Sequence, residues 1–234
     1  MSTPSDLFIT RHGEAHCNHN QLVGGPRGCT GLTDLGRHQV GKLAVRMQRE
    51  HSTRPVEALY TSPLKRTRQS AVILAKALGT GVRTEPTLRE QDYGEADGRP
   101  WRDVVSEFGG IPSLEPDRPL AAGAETWIDY LRRAAAALQT IISRHEGQRI
   151  LVVGHGETID ASFRLLLNIP VTTRMHAGFA AHPASLTRWV QQPVSWTRPD
   201  AGWRWMLQAH NDGDHLSQPI TDSTPGDSFV PRSG

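Results

Sequence analysis

Apolar positions along the chain alternate between two periods. Leu7-Phe8-Ile9-Thr10 is a short apolar, β-prone run that stops at Arg11-His12-Gly13, and it predicts a first buried strand. Residues 18–31 carry Asn, Gly and Pro and predict a loop. Thr33 then predicts the cap of a helix from Asp34 towards Glu50, with Leu35, Val40, Leu43 and Met47 near helical spacing. The same unit recurs. Val56 to Thr61 predicts a strand, and Ser62-Pro63 a helix start, with a capping hydroxyl and proline in the first turn. That helix is expected to run to about Leu78 and stop at Gly79, before a third short strand at Val82 to Thr84.

Residues 92–123 are rich in Gly, Pro and Asp without clear periodicity, which predicts an irregular cap. From Ala124 to His145 a helix is expected, with Trp127, Leu131, Ala134, Leu138 and Ile141 on one face. Arg149 to Val153 predicts a fully buried strand running into Gly154-His155-Gly156, and another helix follows to about Leu167. Ser185 to Val190 and Trp203 to Leu207 predict two last strands, and residues 216–234 a disordered tail.

Strands alternating with helices predict an α/β fold: a three-layer α/β/α sandwich with a mostly parallel sheet and an antiparallel edge near the C-terminus. A domain over residues 1–215, capped at about 92–123, is expected. In such sheets ligands bind at the carboxyl ends of the strands. Arg11 and His12 close the first strand, Ser62 to Arg66 follow the second, Glu90 follows the third, and His155 closes the fourth. Four segments thus deliver charged residues to one edge.

Those residue types suit one chemistry. Arg11 and Arg66 are permanent cations whose forked geometry matches phosphate oxygens. His12 and His155 each stand beside glycine, where backbone can approach a ligand. One neutral imidazole can attack phosphorus, the other charges can spread over the transferring group, and Glu90 can protonate the leaving oxygen.

Composition narrows the alternatives. The 234 residues, 37% of them hydrophobic, suit one core with or without a tail. A formal charge of +2 argues against a broad nucleic-acid or membrane-binding face. The segment Met1 to Asp6 lacks a basic stretch followed by an apolar one, so a cytoplasmic chain without a signal peptide is expected. Cys17 and Cys29 are then expected as free thiols. With His16 and His19 they match no strong zinc spacing, and no metal site is expected. The glycines at 24, 25, 28 and 31 fit neither common nucleotide fingerprint. No Gly-x-Ser-x-Gly elbow is present, which argues against an esterase.

Arg11-His12-Gly13-Glu14 resembles the signature of the histidine phosphatase superfamily, also called phosphoglycerate mutase-like. Asn18, Leu32 to Arg37 with Gln39, Ser62 to Thr67, Leu88-Arg89-Glu90 with Gly94 and Gly98, Val153 to Gly156, and Asn211-Asp212 with His215-Leu216 resemble further motifs in the family's order. The resemblance covers nearly all of residues 6–215. It implies a phosphohistidine on His12, phosphoryl contacts from Arg11, Arg66 and His155, and Glu90 as proton donor and then base. It also implies Asn18 at the pocket, with Gly156 and Glu157 as further substrate-binding candidates, and needs no metal or cofactor.

One departure stands out. Relatives carry a small residue and then an arginine after the second histidine motif, where this chain has Glu157 and Asp160. Acids in a first helical turn suit the helix dipole; alternatively they face a cationic or hydroxyl-rich substrate. The partner expected is a small phosphomonoester, with no nucleic acid or membrane, and homodimerisation is left open. Hydrolysis is favoured over mutase activity because the stretch between Glu90 and Ala124 is short. A non-catalytic phosphate-binding relative is the remaining reading, and it fits less well because all five core residues are present.

Overall fold

A computed structural model describes residues 3–110, 114–175 and 177–217. Its elements in chain order are β1 (Asp6–Arg11), α1 (His16–His19), α2 (Asp34–Thr53), β2 (Ala58–Thr61), α3 (Lys65–Leu78), β3 (Val82–Thr84), α4 (Trp101–Phe108), α5 (Trp127–Arg144), β4 (Arg149–Gly154), α6 (Gly156–Leu166), β5 (Leu186–Pro193), β6 (Trp203–Asp212) and α7 (Asp214–Ser217).

The six strands form one sheet in the order β3-β2-β4-β1-β5-β6. The pairs β2–β3, β2–β4 and β1–β4 are parallel, whereas β1–β5 and β5–β6 are antiparallel. The α/β class, the mostly parallel sheet and the antiparallel C-terminal edge are therefore as expected. Register fixes the functional edge: Arg11 stands beside Gly154, and Thr61 beside Val153. The residues that follow β1, β2 and β4 consequently emerge together.

Period-two alternation sends side chains to both faces. Leu7, Ile9, Tyr60, Ile150 and Val152 pack with Tyr130, Leu138 and Ile141 of α5 and with Ile159 and Phe163 of α6. Phe8, Leu59, Leu151 and Val153 pack on the opposite face against Val40, Leu43 and Met47 of α2 and Ala71 and Leu74 of α3. Each such buried aliphatic side chain contributes about 1.5–3 kcal/mol. A third, smaller cluster of Val23, Tyr93, Ala96 and Val104 anchors the cap.

Several boundaries differ from the sequence expectation, each for a local reason. The helix expected from Ala124 begins at Trp127, because the Thr126 hydroxyl accepts the Asp129 N–H and caps it there. The cap region is not wholly irregular, since α4 lies within it and closes at Gly109, whose φ is +68°. Leu216, assigned to the tail, sits in α7, where its carbonyl accepts from Lys42 Nζ at 2.8 Å. The rest of the expected tail, residues 218–234, lies outside the described residues. No helix of the described residues is long and apolar enough to cross a membrane.

Candidate active site

His12 follows β1 and is almost fully buried, at 2% exposure. Its Nδ1–H donates to the Gly13 carbonyl at 2.6 Å. Arg66, on the first turn of α3, donates from Nε to His12 Nε2 at 2.9 Å. An arginine has no acceptor, so Nε2 must carry the lone pair. Burial, reinforced by Arg66 and Arg11, holds the His12 pKa well below the usual histidine value. The ring is therefore a neutral imidazole with its unprotonated nitrogen aimed at a guanidinium.

Arg66 organises the rest. Its Nη1 donates to the Gly24 carbonyl at 2.6 Å, and its Nη2 lies 3.2 Å from both Glu90 Oε2 and His155 Nδ1. Burial opposes its charge, but Glu90 and the neighbouring Cys17 and Cys29 hold its pKa above the ordinary guanidinium range. His155 is the N-cap of α6 and wholly buried, and its ring stands edge-on to His12 with centroids 5.5 Å apart. Burial, then Arg66, His12 and Arg11, hold its pKa well below the usual value.

Glu90 is the site's acid. Its Oε1 accepts the Gln91 N–H at 3.0 Å, and Oε2 lies 3.2 Å from His155 Nδ1. The Glu157 carboxyl lies near enough to act on that of Glu90. Burial first, and Glu157 second, push the Glu90 pKa up to about 8 against the pull of Arg66. Burial thus favours the protonated form of this carboxyl.

Four of the predicted residues, His12, Arg66, Glu90 and His155, are thus joined through the Arg66 guanidinium, and Glu157 acts on Glu90. Arg11 is half-buried, donates from Nη1 to the Ala181 carbonyl at 2.6 Å, and has no partner for Nε among the described residues. Asn18 is exposed on α1, where its Oδ1 accepts the Ala15 N–H at 3.2 Å. No hydrogen bond among the described residues ties Asn18 to the cluster. Gly156 is the first residue of α6, next to His155. Asp160 faces Arg164 at 3.8 Å.

Residues not singled out as site residues complete the shell. Ser62 Oγ lies 2.8 Å from His155 Nε2. Expected as the cap of α3, Ser62 stands outside it: Leu64 occupies the cap position, and the hydroxyl serves the histidine. Arg133 of α5 donates to the Arg89 and Glu90 carbonyls and so pins the acid's backbone. Its position on the polar side of an amphipathic helix was the only signal. Both cysteines are buried and unpaired beside Arg66.

Comparison with known proteins agrees with this geometry. Residues 7–198 match the family described as the histidine phosphatase superfamily (branch 1). A probable phosphoglycerate mutase of Yersinia enterocolitica is 28% identical over 92% of this chain and 97% of its own. A bifunctional protein of Mycobacterium tuberculosis is 31% identical over 81% of this chain. The chain spans about half that relative's length, 54% of it. Among solved structures, a mycobacterial glucosyl-3-phosphoglycerate phosphatase superposes with a TM-score of 0.72 at 23% identity, covering 89% of this chain and 98% of its own. A phosphoserine phosphatase mutant from Entamoeba histolytica does so at 0.71 and 19% identity, covering 91% and 99%. The chain belongs to branch 1 of the histidine phosphatase superfamily.

Proposed function

We propose that the protein is a metal-independent phosphomonoesterase that works through a phosphohistidine on His12. The observation that carries this reading is the His12 Nε2 lone pair, held towards Arg66 by the Nδ1–H bond to Gly13. An arriving phosphoryl group takes the place of His12 Nε2 as the partner of the Arg66 guanidinium. Nε2 then attacks phosphorus in line, the bond to the leaving oxygen breaks, and Glu90 gives its proton to that oxygen. Arg11, Arg66 and His155 spread the charge of the transferring group. The Glu90 carboxylate next takes a proton from water as the water attacks phosphorus, and the P–N bond breaks. Phosphate leaves, and His12 and Glu90 regain their starting states. Asn18 and Gly156 line the phosphate side, and Glu157 acts on the acid.

The guanidinium groups of Arg11 and Arg66 already supply positive charge that a metal would otherwise provide, which supports the metal-free form. The likeness to a probable phosphoglycerate mutase supports a second reading, in which the same phosphohistidine returns the phosphoryl group to a second hydroxyl.

The test is a phosphomonoester screen with free-phosphate detection, with and without chelator. Phosphate release that survives chelation is expected, together with an acid-labile, base-stable label on the protein that disappears in His12→Ala. Conversion of 3-phosphoglycerate to 2-phosphoglycerate without free phosphate would overturn hydrolysis in favour of the mutase.

A further inference from the structure

Phosphoryl chemistry leaves unused a cavity of about 580 Å3 under the cap. Its volume is in the range of small-molecule sites. Trp101, the first residue of α4, and Trp127, the first of α5, line it together with Leu120. Asp160 and Arg164 of α6 line it as well.

Two lining residues place this cavity beside the acid. Gln91 donates its backbone N–H to Glu90 Oε1 at 3.0 Å. Asp160 lies three residues, about one helical turn, beyond Glu157, whose carboxyl acts on that of Glu90. Glu90, the acid of the proposed mechanism, is thus one residue from this lining.

The polar wall is incompletely satisfied. Arg164 is 6% exposed and donates from Nη1 to the Pro170 and Thr173 carbonyls at 3.1 and 2.9 Å. Its Nε has no hydrogen-bond partner among the described residues. The Asp160 carboxylate stands 3.8 Å from that Nε, too far for a hydrogen bond, and its side chain is only 18% exposed. The two are an ion pair, with no hydrogen bond between them. An acceptor that receives no hydrogen bond, on a wall that carries Arg118, Arg164 and Arg174 beside its apolar residues, can take an N–H or O–H from the occupant.

We propose that the cavity holds the leaving alcohol, and that the substrate is a phosphomonoester of a bulky amphipathic alcohol. Its apolar or aromatic body lies against Trp101 and Trp127, and its hydroxyl or amino group donates to Asp160. A three-carbon acid such as glycerate would leave most of the volume to water. This inference rests on the phosphomonoesterase reading, which supplies the direction of the leaving group.

Three esters with the same primary-alkyl leaving oxygen test it: propyl phosphate, 3-phenylpropyl phosphate and 3-[4-(aminomethyl)phenyl]propyl phosphate. On the unmodified protein, kcat/KM should rise about tenfold or more from propyl to phenylpropyl. It should rise about tenfold again with the amine. Trp127→Ala should shrink the first ratio and Asp160→Ala the second. Calorimetric binding of the same esters to His12→Ala should give the same ranking without turnover. Equal values for propyl and phenylpropyl, or no gain from the amine, in both kcat/KM and binding would overturn the proposal. If none is hydrolysed yet the binding order holds, the phosphomonoesterase reading fails and the cavity assignment stands.

Discussion

The Nε–H of Arg66 points at Nε2 of His12 across 2.9 Å, so the guanidinium and the imidazole lone pair are mutually oriented. The other two nitrogens of the same guanidinium reach the Gly24 carbonyl, Glu90 and His155. A lysine has a single nitrogen and no planar fork, and cannot reproduce these directions. Arg66→Lys is expected to lower kcat/KM by about 100-fold or more, as loss of a charge-stabilising donor does. Steady-state rates on any accepted ester, with circular dichroism as the fold control, check this. A loss below about fivefold would mean that Arg66 is not central to phosphoryl binding.

The acid predicts a pH profile. Catalysis needs His12 neutral, and its lowered pKa puts the acid limb below the ordinary histidine value of 6.5. It also needs Glu90 protonated, so kcat/KM should fall as pH rises through about 8. Glu157 raises the Glu90 pKa and is second only to burial among the causes. Glu157→Gln removes that charge but keeps a hydrogen-bonding group, so the basic limb should move to lower pH while the acid limb stays. A basic limb in the variant that coincides with the wild-type one would remove Glu157 from this role.

Ser62 marks how far the sequence could be read. The strand ends and the histidine, arginine and glutamate motifs were legible, because hydrophobic runs and chain order place them at one sheet edge. What Ser62 does was not. Its place before Pro63 reads as a helix cap, and only the register of β2 against β4 brings its hydroxyl to His155. The carbonyls of Gly13 and Gly24 are similar cases, since backbone acceptors leave no signature in residue type. The link from Glu157 to Glu90 was also out of reach, because it depends on where a loop returns to α6. Ser62→Ala should lower kcat about tenfold by freeing the His155 ring, at a stability cost of about 1 kcal/mol. Rates and thermal melts separate the two effects. A melt shifted far more than the rate would make Ser62 a structural residue.

Gly13 ties the nucleophile to the fold. A Cβ added there would fall on the Gly36 carbonyl oxygen, and would also meet the Val40 side chain at 2.8 Å. Gly36 in turn abuts the Glu14 backbone, so the loop after β1 and the start of α2 are packed backbone to backbone. A backbone obstacle cannot rotate away as a side chain can, so Gly13→Ala must displace the loop. The same residue supplies the carbonyl that fixes the His12 Nδ1 proton. The expected result is a destabilisation of about 1–3 kcal/mol, typical of overpacking. A fall in kcat beyond what the folded fraction explains should accompany it, because the Nε2 lone pair loses its direction. Denaturant melts and active-site titration with a slowly released phosphoryl donor measure the two separately. Wild-type rates in a destabilised Gly13→Ala would show that His12 needs no fixed tautomer, and would remove the geometric basis of the proposed mechanism.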